Sequence, residues 1–135
     1  MAMINDAHWD DPITETPKAG TTEIWRIINT TEDAHPIHLH LVQFQILDRQ
    51  PFNADDDSSS GPVFTGPPVT PPPDERFGLK DTVQAFPGEV VRVMAKFDLP
   101  SGTSATPGQR FRYVFHCHIM EHEENEMMRP YDVVG

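Results

Sequence analysis

Short runs of Val, Ile, Phe and Thr, broken by proline and glycine, recur along the chain and predict an all-β fold. The clearest runs are Thr22–Asn29, His38–Asp48, Thr82–Phe86, Glu89–Phe97 and Phe111–Cys117, with weaker ones near Met3–Asn5 and Tyr131–Val134. Pro87-Gly88 is typical of a turn between two strands. We therefore expect an antiparallel β-sandwich.

Two segments lack any apolar period and are predicted to be loops. Pro51–Arg76 carries an acidic run and three consecutive prolines, which favour an extended surface segment. Ser101–Gln109 is the second loop. Glu121–Met128 is predicted to form the one short helix, about two turns of good helix formers before Pro130. With neither internal repeats nor a domain boundary, residues 1–135 are expected to form a single domain.

Charge and composition exclude several partners. The chain has 10 basic and 21 acidic residues, a formal net charge of −11. Such a surface repels nucleic acid and anionic lipid, and no apolar run has membrane-spanning length. The start has neither the basic region nor the apolar stretch of a signal peptide, so we expect a truncated start and an undetermined compartment. A single cysteine excludes an internal disulfide.

Six of the seven histidines and the only cysteine lie in two short segments, His35–His40 and His116–His122. Side chains alternate between the two faces of a strand, so His38 and His40 are expected to point the same way. If a strand runs through the second segment, His116 and His118 share one face and Cys117 takes the other. The pattern therefore predicts two metal sites on opposite sides of the strands.

The first predicted site combines a thiolate, two imidazoles and a thioether, from His35, Cys117, His122 and Met127. This donor set matches the blue-copper electron-transfer centre, in which thiolate and imidazoles form a plane and methionine is a weak axial ligand. Singly, each residue would more often be an ordinary core or turn residue. Zinc is a weaker alternative, because structural zinc sites usually contain several cysteines and no methionine.

The second predicted site consists of two His-x-His pairs, His38 with His40 and His116 with His118. Imidazoles that face one way suit copper or zinc, whereas the alternative is a set of exposed polar residues on a sheet. His8 has no such neighbours in the sequence and receives no role.

These motifs resemble the C-terminal cupredoxin domain of multicopper oxidases. The similarity is carried by His-Pro-x-His-x-His at 35–40 and by His-Cys-His-x-x-x-His-Glu-x-x-x-Met at 116–127, and it covers nearly the whole chain. Further motifs, including Lys80-Asp81-Thr82 and Met127-Met128-Arg129-Pro130, are most similar to bacterial spore-coat laccases. The resemblance implies a cupredoxin-like Greek-key β-sandwich that lacks its first strand or two. It also implies a spore-coat or other extracytoplasmic location.

The resemblance further implies a role for each ligand. His35, Cys117, His122 and Met127 would bind type 1 copper, which accepts electrons from a small phenolic or aromatic reductant. Electrons would pass through Cys117 to a type 2/type 3 copper cluster bound by His38, His40, His116 and His118, where dioxygen is reduced to water. Glu123 would assist proton delivery, although it could equally be an acid that stabilises a helix N-terminus.

In the family, half of the cluster's histidines come from a first cupredoxin domain that these residues do not include. Either the missing domains of a parent enzyme or a second copy of this chain could complete the cluster. A two-fold axis would make the second arrangement self-complementary, so we expect a homo-oligomer through the histidine face. Three functions stay open: a laccase-like oxidase, a non-catalytic blue-copper or copper-binding module, and a metal-free structural domain.

Overall fold

A computed structural model of the chain describes residues 4–5, 7–55, 61–117 and 127–135. In these ranges the chain is nearly all β, as predicted, and its strands form two antiparallel sheets. The strands are β1 Thr22–Ile28, β2 His35–Leu39, β3 Phe44–Pro51, β4 Thr82–Ala85, β5 Glu89–Lys96, β6 Arg110–Cys117 and β7 Met128–Val134. One sheet has the order β1-β5-β3 and the other the order β4-β2-β6-β7.

The core lies between the two sheets, and Trp25 joins them. Its indole, on β1 of the first sheet, lies 5.4 Å from the Phe97 ring. The same indole lies 5.6 Å from Phe115 on β6 and 5.6 Å from Tyr131 on β7, both edge-to-face. Each such aromatic pair contributes about 0.5–1.5 kcal/mol beyond the area that it buries. Aromatic packing therefore holds the strand that carries Cys117 against the opposite sheet.

The prediction of a single strand over His38–Asp48 is wrong, because the chain passes from one sheet to the other there. β2 ends at Leu39 in the four-stranded sheet, and β3 begins at Phe44 in the three-stranded sheet. Leu41 has a φ of 78°, in the left-handed region that a leucine rarely adopts. Apolar residues continue through this corner, but their alternation changes phase there, from odd positions up to Leu41 to even positions from Val42 onward. This change of phase was the one local signal of the turn, and the prediction of a single strand missed it.

The long segment expected to be a surface loop contains a short helix, α1 Pro73–Arg76, which begins on a proline suited to the first helical position. Arg49 on β3 ties this helix down through Glu75, with a 2.8 Å bond from its Nε. Before the helix, Val69 bridges to Arg49. The segment 101–109 contains no strand or helix, as predicted.

At the chain ends the boundaries shift. The weak strand near Met3–Asn5 is wrong for its described residues, since Ile4 makes only an isolated bridge with Ala7. The weak C-terminal strand is longer than expected and begins at Met128. The predicted helix Glu121–Met128 lies outside the described residues except at its last two positions, and Met128 belongs to β7.

Within the described residues, no helix is both long enough and apolar enough to span a membrane.

β7 carries two buried charges, Arg129 and Asp132, and each makes several hydrogen bonds. The Arg129 side chain donates to the carbonyl oxygens of His8, Asp11 and Pro12, so it fastens the N-terminal arm to β7. Asp132 accepts from Arg112 at 2.9 Å and from Arg110 at 2.8 Å. Hydrogen bonding to Arg112, reinforced by Arg110, lowers the pKa of Asp132 below its ordinary value.

Replacing Asp132 with Asn should make the metal-free protein less stable near neutral pH, by about 1–2 kcal/mol. The amide has one acceptor oxygen and no charge, so the hydrogen bonds from Arg110 and Arg112 are weakened, and solvent screening of the half-exposed arginines keeps the loss small. A carboxylate with a lowered folded pKa stabilises the fold above its unfolded pKa, and that contribution is lost as pH falls through the folded pKa. The free energy of unfolding of the native protein, measured with urea, should therefore fall below about pH 4. That of Asp132→Asn should fall less over the same range.

The matched control is Asp98→Asn, at an exposed carboxylate that pairs with the exposed Lys96. Its stability should follow that of the native protein at every pH. Equal pH profiles for native protein and Asp132→Asn would contradict the assignment.

Candidate metal sites

Antiparallel pairing between β2 and β6 places the two histidine segments side by side. Ile37 lies opposite Cys117, and His38 lies opposite His116. Because successive side chains alternate faces, His35, Ile37 and Cys117 point into the core, while His38 and His116 point out of the opposite face. This register brings the two predicted donor sets to opposite sides of one strand pair.

On the core side, His35 and Cys117 come together. The distance between Cys117 Sγ and His35 Nδ1 is 3.7 Å, and both residues are buried. Met127 is also buried, and its carbonyl accepts the backbone N–H of Cys117 at 2.9 Å. His122 lies outside the described residues, so three of the four predicted type 1 ligands can be placed.

A cavity of about 420 Å³ lies beside this site. His35 and Met127 line it together with the apolar side chains of Trp25, Ile37 and Phe115. Thiolate, imidazole and thioether donors together suit a soft metal ion such as Cu(I). The residues present therefore fit copper, and the methionine argues against a structural zinc site.

On the opposite face, His38, His40 and His116 form a group whose candidate ligand atoms all lie within 4.8 Å of one another. His40 Nε2 and His116 Nε2 are 3.1 Å apart. Two nitrogens that each sit about 2.0 Å from one ion, at an angle near 100°, would be separated by about this distance. His118 and Glu123 lie outside the described residues.

Backbone carbonyls fix two of these rings. His38 Nδ1 lies 2.8 Å from the carbonyl oxygen of Asp81, and His116 Nδ1 lies 3.1 Å from that of Cys117. A carbonyl can only accept, so each Nδ1 carries the proton and each Nε2 carries the lone pair that a metal needs. Such outer partners orient metal ligands and set their tautomer.

Asp81 belongs to the family motif Lys80-Asp81-Thr82, but no function was predicted for it from the sequence. Its carbonyl orients His38, and the Thr82 hydroxyl lies 3.3 Å from the same Nδ1. Thr31, near the other site, was also missed: its Oγ1 lies 2.7 Å from His35 Nε2. A hydroxyl residue four positions before a predicted ligand was the one signal available for Thr31.

Tyr131 connects the core to the histidine face. Its hydroxyl donates to the carbonyl oxygen of His40, just where the chain turns between β2 and β3. Burial raises the pKa of Tyr131, with a further contribution from Tyr113, so the phenol stays protonated and keeps donating. The hydrogen bond thus holds the His40 backbone at the corner.

A two-sheet β-sandwich with a thiolate–imidazole–thioether site and a separate imidazole group defines a copper-binding, cupredoxin-like protein. A model of the family described as multicopper oxidase matches residues 1–134. A laccase of Bacillus subtilis is 54% identical over 134 residues, covering 98% of this chain, and a laccase of Bacillus stratosphericus is 49% identical over 135 residues, covering 99%. The chain belongs to the multicopper oxidase family.

Solved structures agree with this assignment. A multicopper oxidase from Campylobacter jejuni superposes with a TM-score of 0.74 at 27% identity, over 98% of this chain and 23% of that one. McoA from Aquifex aeolicus superposes with a TM-score of 0.72 at 28% identity, over 98% of this chain and 26% of that one. The chain spans 24% of the length of each of the two laccases. The predicted family and cupredoxin-like fold are confirmed, and the family implies copper as the cofactor.

If Met127 is a type 1 copper ligand, as predicted, substituting Leu should leave a blue protein but raise its reduction potential, because a weak thioether donor that would stabilise Cu(II) is removed. The potential is measured by redox titration of the blue absorbance. Met94→Leu, the same change on β5, is the control and should leave the potential unaltered. A Met127→Leu potential equal to that of the native protein would show that Met127 is not axial.

Proposed function

We propose that residues 1–135 form a single cupredoxin domain of a laccase-type multicopper oxidase. One observation carries this: the β2–β6 pairing sets a buried thiolate site directly behind an imidazole group, with Cys117 and His116 as neighbours in the chain. An isolated electron-transfer site would need only the core side. The imidazole group on the other side is what an oxygen-reducing cluster requires.

The proposed type 1 copper ligands are His35, Cys117, His122 and Met127, and the proposed type 2/type 3 ligands are His38, His40, His116 and His118. Bound copper supplies one-electron transfer at the first site and dioxygen reduction at the second. Cys117 is the electron path, because its carbonyl accepts from His116 Nδ1 at 3.1 Å and so links the sites by one residue. Glu123 is proposed to hold and pass protons.

The proposed substrates are a small phenolic or aromatic reductant and dioxygen. Proteins similar to this chain are called laccases, which supports the reductant class. The buried faces of β2 and β6 keep bulk water away from Cys117. The proposed location is the spore coat or another extracytoplasmic place, on the resemblance to spore-coat laccases.

The imidazole group supplies part of a cluster, so a second set of histidines must face it. We propose that a second copy of this chain, or another cupredoxin domain of a longer parent protein, provides them. His40 is exposed and His38 partly exposed, so the group is accessible to such a partner. In a homo-oligomer with two-fold symmetry, the same face of each copy would meet its counterpart.

A second candidate is a non-catalytic blue-copper module. It is favoured by the fact that the core-side site draws all its proposed ligands from this chain, whereas the chain spans only 24% of the Bacillus subtilis laccase. Such a module would carry about one copper per chain and would transfer electrons without consuming dioxygen.

The deciding experiment measures copper per chain, visible absorption, native mass and dioxygen uptake with a phenol on the same copper-loaded sample. An oxidase should be blue, oligomeric or joined to its partner domain, loaded with more than about one copper per chain, and active. Cys117→Ser should abolish the blue charge-transfer band and turnover together, because the thiolate is removed.

The other outcomes separate the alternatives. A blue monomer with about one copper per chain and no oxygen uptake would replace the oxidase with the module. A protein that stays colourless and binds no copper after loading would leave only a metal-free structural role.

His38→Ala should remove dioxygen uptake while keeping the blue band, because His38 lies on the opposite face of β2 from His35 and Cys117. Copper per chain should fall as well. His8→Ala is the matched control, since His8 lies in the N-terminal arm, and it should keep copper, colour and turnover. Loss of the blue band in His38→Ala would contradict the separation of the two sites.

A further inference from the structure

The surroundings of His35 contain a hydrogen-bonded pair that no ligand motif includes. Thr31 Oγ1 lies 2.7 Å from His35 Nε2 and 2.7 Å from Asn29 Oδ1. Asn29 is buried at the end of β1, and Thr31 lies in the turn between β1 and β2. Both residues also line the cavity beside the core-side site.

The orientation of Asn29 is fixed by its other contacts. Its Nδ2 donates to the carbonyl oxygens of Asp33 at 2.7 Å and Ala85 at 2.9 Å, and neither can donate in return. The amide oxygen must therefore face Thr31, where it also accepts the Thr31 backbone N–H at 2.9 Å. The buried amide is thus a rigid acceptor.

A threonine hydroxyl has one proton to give. Two acceptors compete for it, Asn29 Oδ1 at 2.7 Å and the Asp33 carbonyl oxygen at 3.1 Å. With the proton committed to either of them, Thr31 can only accept from His35. His35 Nε2 must then carry the imidazole proton, and Nδ1, which lies 3.7 Å from Cys117 Sγ, must carry the lone pair.

We propose that Thr31, oriented by Asn29, is a positioning residue of the core-side copper site: it holds His35 in the tautomer whose Nδ1 lone pair is aimed beside the Cys117 sulfur. The proposal rests on the proposed function only in taking His35 as a copper ligand. Hydrogen bonding to the second ring nitrogen is the usual way in which a protein fixes a ligating histidine and raises its basicity.

Two measurements test it, the first on metal-free protein. Long-range proton–nitrogen NMR correlations of His35 should show Nε2 protonated and Nδ1 unprotonated. Protonation at Nδ1 would overturn the proposal. This result does not depend on any oxidase activity, so it separates failure of the positioning role from failure of the proposed function.

The second measurement is affinity for Cu(I), by competition with a coloured chelator, together with the blue absorbance and its potential after oxidation. Thr31→Val removes the hydroxyl with little change in shape and should weaken copper binding about 10–100-fold and shift the potential. Thr31→Ser keeps a hydroxyl and should restore native affinity and potential.

Thr21→Val is the matched control, because the Thr21 hydroxyl donates to the Lys18 carbonyl in a turn outside the site. It should lose a hydrogen bond without changing copper affinity. Native affinity in Thr31→Val, or equal losses in Thr31→Val and Thr31→Ser, would overturn the positioning role. Should Thr31→Val fail to fold, the tautomer of the native protein and the Ser variant still decide the question.

Discussion

The register between β2 and β6 is the constraint on which the rest of this molecule depends. Ile37 opposite Cys117 and His38 opposite His116 put one donor set in the core and the other outside it. A slip of one residue in either strand would exchange those faces, burying imidazoles in the core and exposing the thiol. The apolar residues that share the core face, with Trp25 packed across from the other sheet, make such a slip costly. The hydrophobic core therefore also enforces the separation of the two metal sites.

β7 ties the two sites to the rest of the chain. Met127 precedes it at the core-side site, Arg129 fastens the N-terminal arm to it, and Tyr131 reaches through the core to the His40 carbonyl. These contacts come from alternate residues of one short segment, next to the strand that carries Cys117. Displacement of β7 would therefore disturb the proposed axial ligand and the imidazole group together.

A single copy of the chain can provide a larger share of the ligands for one proposed site than for the other. The proposed core-side ligands all belong to this sequence, whereas the proposed cluster needs a partner that would bring the remaining histidines. Carbonyl oxygens of Asp81 and Cys117 already orient His38 and His116, so those two rings are set before any partner arrives. Preset ligands lower the ordering cost of assembling a cluster between two domains.

The sequence by itself determined the strand class, the donor types and their division between two faces, because alternation is a local property of any strand. It also predicted the family, through residue spacings that need no tertiary information. Only the tertiary structure decided the backbone conformation of the corner at Leu41 and the helix at Pro73–Arg76. It also decided the hydrogen-bond partners of two imidazoles, the Asp81 carbonyl for His38 and the Thr31 hydroxyl for His35. These features follow from where the chain changes sheets and which distant backbone atoms then approach. The local apolar pattern marks the corner only by a change of phase between Leu41 and Val42, and it cannot encode which distant atoms the chain then meets.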